Sequence, residues 1–77
     1  MSPLEQHIVS RVSEIQEALD EIGRKKENSS ITQDIYLNAE ALAHSHSYEE
    51  LKLISSVIGF NIPKIKPVKY VTNQGSD

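Results

Sequence analysis

Cysteine and tryptophan are absent from this chain of 77 residues, and phenylalanine and methionine each occur once. Without cysteine no disulfide can staple the fold, and the absence fits a reducing compartment. Scarce aromatics leave few side chains able to bury a large area singly. Three glycines, all scattered, leave no glycine-rich loop that could cradle a phosphate. Uninterrupted apolar stretches nowhere exceed three residues, as at Ile35 to Leu37, and no basic segment followed by an apolar run opens the chain. Neither a membrane span nor a signal peptide can be drawn, so the expectation is a cytoplasmic protein.

A chain this short buries only about 60% of the surface that its unfolded form exposes. Lacking disulfides, it needs well-made helix packing or a second subunit to be stable. The net charge is −3, unevenly spread. Residues 1 to 22 hold five acids and one arginine, whereas residues 61 to 77 hold three lysines and one acid. An acidic body repels phosphates and anionic lipid, so any nucleic-acid contact falls to the basic tail or to Arg24, Lys25 and Lys26, and no membrane role is expected.

Punctuation predicts an all-α chain of three short amphipathic helices, over about 3–23, 31–44 and 48–58, with an extended C-terminal arm containing proline and lysine. Ser2, Pro3 and Glu5 form a capping box with proline at the first helical position, and Gly23 can end that helix. Ser30 with Gln33 caps a second helix, and Ser47 with Glu50 a third, closed by Gly59; "HSHS" at 44–47 supplies the break between them. Pro63 and Pro67 then forbid a helix and favour extended backbone before them. Ile62, Ile65, Val68 and Val71 recur every third residue, one edge of a polyproline II strand, with Lys64, Lys66 and Lys69 off that edge. The domain reading is therefore a helical domain at 1–60 and a basic arm and mobile tail at 61–77.

In the first helix Ile8, Ile15 and Ile22 hold one heptad position and Val12 and Leu19 the other, a narrow coiled-coil-like seam flanked mostly by polar residues. The second helix offers Ile31, Ile35, Tyr36, Ala39, Leu42 and Ala43 to a core, and the third Tyr48, Leu51, Ile54, Val57 and Ile58. Three such helices make a thin monomer. The expectation is a homo-oligomer, most simply a dimer, in which Ile8, Val12, Ile15, Leu19 and Ile22 of two copies share one seam.

Little in the chain suggests chemistry. His44 and His46 have the spacing of two metal ligands in an extended turn, but no cysteine joins them and His7 is distant, so no metal and no cofactor are assigned. Serines near them are explained as caps, and no enzyme activity is assigned. The reading is a non-catalytic protein-interaction module, a regulator, adaptor or chaperone-like subunit. Beyond itself it binds another protein through exposed helix faces or through an arm surface of Ile62, Lys64, Ile65, Lys66, Val68, Lys69 and Tyr70. The alternative is a small dimeric DNA-binding regulator. Residues 50–66 have the coarse spacing of a helix-turn-helix, although Pro67 would end its second helix after one turn.

Overall fold

The computed structural model describes residues 1–68. It is an antiparallel helical hairpin with an ordered, irregular segment laid along it. α1 spans Pro3–Lys26 and α2 spans Ile31–Ile58, joined by the four residues Glu27 to Ser30. The body measures 45 × 19 × 15 Å, the length of one helix and the width of two. There is no strand among the described residues.

Both helix starts follow from the sequence. Ser2 Oγ accepts from the Glu5 N–H at 3.2 Å while Glu5 Oε1 accepts from the Ser2 N–H at 3.0 Å. Ser30 and Gln33 repeat the reciprocal pair, both at 3.1 Å. Each box satisfies N–H groups that the first turn would otherwise leave bare. At the far end of α2, Gly59 takes φ 73° and donates to Ser56, while Phe60 donates back to Ser55. This αL ending satisfies two terminal carbonyls and turns Phe60 toward the core.

Three helices are not present: the predicted second and third are one continuous helix of 28 residues. No glycine or proline lies between Ile31 and Ile58, so nothing in the backbone compels a break at 44–47. The Ser47–Glu50 box goes unused. Ser47 Oγ instead donates to the Ala43 carbonyl four residues back, at 3.2 Å, which a serine inside a helix can do. The first helix likewise runs through Gly23 to Lys26. Its last turn is held by Glu21 bonding Arg24 one turn on, rather than by i, i+4 pairs.

Ile8, Val12, Ile15, Leu19, Ile22 and Lys26 are buried along one face of α1, at steps of four and three. The inner face of α2 answers with Leu37, Ala41, Tyr48 and Ser55 buried and His44 and Leu51 half-buried, at the same steps. Two stripes of equal spacing running in opposite directions interdigitate layer by layer. Lys26 closes the stack beside the turn: its ammonium donates to Asn38 Oδ1 and lies 3.5 Å from the Asp34 carboxylate. A buried cation is tolerable there because it is paired and hydrogen-bonded.

The segment after Gly59 completes the core. Val68 is buried, and Phe60, Ile62 and Ile65 pack against the helix cluster. Gln16 clamps the backbone of Lys66 at both ends, accepting from its N–H at 2.7 Å and donating to its carbonyl at 3.2 Å. Tyr48 donates its hydroxyl to the Pro63 carbonyl at 2.7 Å. Proline removes the N–H but leaves the carbonyl, so the segment can be tied down by side chains without a sheet partner.

Candidate functional site

α2 carries two apolar stripes, and only one of them is covered by the described residues. Of the residues expected from sequence to build the core, Tyr48 and Leu51 turn inward, whereas Ile31, Ile35, Tyr36, Ala39, Leu42, Ala43, Ile54, Val57 and Ile58 are exposed. The physical reason is the fusion of the two helices. A straight helix has one face for α1, and separate helices could have rotated to bury both. The face chosen buries Leu37, Ala41, Tyr48 and Ser55.

The outer stripe is made by Ile31, Ile35, Ala39, Leu42, Leu53 and Val57, on one side of α2. Ile31 and Val57 at its two ends are 85% and 86% exposed, Leu53 is 70%, Ile35 64% and Leu42 52%. At the middle His46 and Glu49 interrupt it. Apolar residues at steps of three and four on both sides of that interruption are what a helix shows toward a partner helix, whereas surface apolar residues of no consequence are scattered singly.

The predicted sites fall differently. Ile8, Val12, Ile15, Leu19 and Ile22 are 1–4% exposed within a single chain, filled by α2 and the 60–68 segment. Association through that seam would require opening the hairpin. Ile62, Ile65 and Val68 are likewise turned onto the core, while Lys64 and Lys66 stay exposed on the rim. Lys69, Tyr70 and Val71, and the expected mobile tail, lie outside the described residues. A shallow groove does run between the end of α2 and the arm, lined by Lys52, Ser56, Phe60, Asn61, Ile62 and Lys64.

Comparison with protein-family profiles, with curated proteins and with solved structures finds no match to this chain.

The chemistry of the surface is accordingly read from its residues alone. His44 is half-buried and His46 exposed on α2, where residues two apart point to different sides. No group of three or more histidines and carboxylates able to hold a metal ion occurs among the described residues. The region 50–66 holds the end of α2 and an irregular segment; the second helix that a helix-turn-helix requires is not there. No described helix is long and apolar enough to cross a membrane. Electrostatics on α1 are those of a solvated face. Hydrogen bonding by Arg24, reinforced by its charge, holds the Glu21 carboxyl below its ordinary range, and the same contact raises Arg24. Arg11 pairs with Glu14 at 2.6 Å in the same manner one turn apart.

A missed signal was available. Counting positions 31, 35, 39, 42, 46, 49, 53 and 57 through the "HSHS" stretch, without stopping at it, yields the outer stripe directly, and positions 37, 41, 44, 48, 51 and 55 yield the inner one.

Proposed function

We propose that this chain is a cytoplasmic, non-catalytic protein-interaction module, a regulator or adaptor, and that the outer face of α2 makes its contact. One observation carries the reading: five large aliphatic side chains, each more than half exposed, are aligned on a helix whose opposite face already has a full core. Leaving such a stripe in water opposes folding of the monomer nowhere but invites association, because its burial removes apolar surface from solvent. The 60–68 segment acts here as a strap that finishes the core and leaves α2 free on its other side. Lys64 and Lys66 stay exposed on that strap, away from the α2 contact face.

Hydroxyl-radical footprinting tests the assignment. The expected result is that Ile35, Leu42 and Leu53 are labelled in the dilute chain and protected either at high concentration or in extract of the source cells, with Lys64 unchanged. Equal labelling in all three conditions would remove the α2 face as a contact surface. Fluorescence anisotropy with duplex DNA at low salt is expected to show no binding, since the body is acidic and lacks a recognition helix among the described residues.

A further inference from the structure

Resting on the reading of the α2 face as a contact surface, we infer that its occupant is a second copy of the same chain, with the two α2 helices packed antiparallel about a two-fold axis near residue 44. Area is the first argument. The exposed parts of Ile31, Ile35, Leu42, Leu53 and Val57 amount to roughly 400 Å² of apolar surface at about 30 Å² per carbon. A standard interface buries about 800 Å² per partner, of which about 450–500 Å² is apolar. Ala39 and Ala43, also exposed, supply much of the difference. The stripe is thus the size that one stable homodimer interface uses.

The register of the stripe fits a second copy as well. In an antiparallel pair whose partners' numbers add to 88, Ile31 meets Val57, Ile35 meets Leu53, Ala39 meets Glu49 and Leu42 meets His46, each pair occurring twice. This alternation of the two seam positions is what antiparallel coiled packing demands, and positions 35 to 53 meet it with steps of four and three, while each end of the stripe adds a further step of four. Each Glu49 then stands beside an alanine, whose methyl leaves room for the carboxylate to turn out to water. The two copies of Glu49 sit ten residues out of register, about 15 Å apart along the axis at 1.5 Å per residue. Ala43 and Ser45 lie to either side of the central Leu42 and His46 layers and, being small, do not crowd them. A parallel pair would set Glu49 on Glu49 in the middle of an apolar seam, juxtaposing like charges away from water. Flanking positions agree with the antiparallel choice, since Tyr36 comes beside Glu50 of the other copy, and Tyr36 beside Tyr36 does not occur.

Two measurements on the full chain test this. Light scattering after size exclusion is expected to give twice the 8.6 kDa chain mass, and the Ile35→Asp and Leu53→Asp variants half of that with unchanged helicity, because both residues are exposed in the single chain. For orientation, the natural lack of cysteine permits single-cysteine variants Tyr36→Cys and Glu50→Cys with a short bis-maleimide. Mixed, they should cross-link to each other; alone, neither should, because the two copies of residue 36 stand about 24 Å apart along the axis and the two copies of residue 50 about 18 Å. Cross-linking of each variant to itself would overturn the antiparallel assignment. A wild-type chain that stays monomeric at all concentrations would overturn the second copy as occupant, leaving the face for a foreign helix if footprinting in extract protects it. A dimer that survives both aspartates would overturn the inference and the assignment of the α2 face together.

Discussion

The same methyl group added at two glycines should move stability in opposite directions. Gly23 lies inside α1, three residues before its end, and a Cβ built there meets nothing within 4 Å. Alanine at that position removes backbone entropy from the unfolded chain and gains the better helix former, worth about 0.8–1.0 kcal/mol. Gly59 also has open space around a built Cβ, but its φ is 73°. There an L side chain costs about 1–2 kcal/mol for the left-handed conformation, offset in part by about 0.4–1 kcal/mol of unfolded-state entropy. The net expectation for Gly59→Ala is a loss of about 0.5–1 kcal/mol. For a chain of this size 1 kcal/mol moves the melting midpoint by roughly 4–8 °C. Thermal melts followed by circular dichroism at one fixed protein concentration should therefore place Gly23→Ala about 4–6 °C above wild type and Gly59→Ala about 3–6 °C below. A Gly23→Ala variant less stable than wild type would mean that α1 ends at Gly23, as its sequence position suggests, and that the helical turn to Lys26 and the burial of that lysine are wrong.

Ser55→Ala is expected to be neutral or stabilising by up to about 1–2 kcal/mol, since the Ser55 hydroxyl is fully buried without a hydrogen-bond partner among the described residues; a loss of similar size on urea unfolding would show that the hydroxyl is bonded. Gln16→Ala should release the strap at a cost of about 1–2 kcal/mol for two hydrogen bonds, and Tyr48→Phe about 1 kcal/mol for one. In both, faster amide exchange at Lys66 with unchanged helicity is the expected reading, and unaltered exchange would contradict the clamp. Glu21 has a carboxyl held low in the folded state, chiefly by its hydrogen bond with Arg24. Its contribution is present above the ordinary carboxylate value of 4.5 and is lost as pH falls through the lowered folded value. The stability difference between wild type and Glu21→Gln should accordingly shrink on acidification; because the pair is exposed the effect is small and should also fade with salt. A difference that grows toward low pH would reverse the sign and the assignment.

Local chemistry was legible because it depends on few residues. Ser2 with Glu5 and Ser30 with Gln33 satisfy N–H groups within one turn of themselves, and Gly59 can adopt an αL ending that alanine resists, so both starts and the final stop could be read directly. The seam from Ile8 to Ile22 was equally visible, being one periodicity on one helix. Its partner was not. Ser47 and Glu50 carry the same pattern as the two true caps, and whether a serine caps a new helix or bonds the turn behind it depends on whether continuing the helix lets Tyr48 and Ser55 reach α1.

The amino-acid sequence by itself determined that the chain is helical, where the helices begin, which face of α1 is apolar and that prolines hold the C-terminal segment out of any helix. Those are properties of neighbours within about one turn. Only the tertiary structure decided that residues 31–58 are one helix, which of its two apolar stripes goes inside, and that the arm is spent as a strap on α1. Each of these depends on contacts between residues far apart in the chain, among them the burial of Ala41 and Ser55 on the inner face of α2 and the Gln16 and Tyr48 hydrogen bonds to the strap.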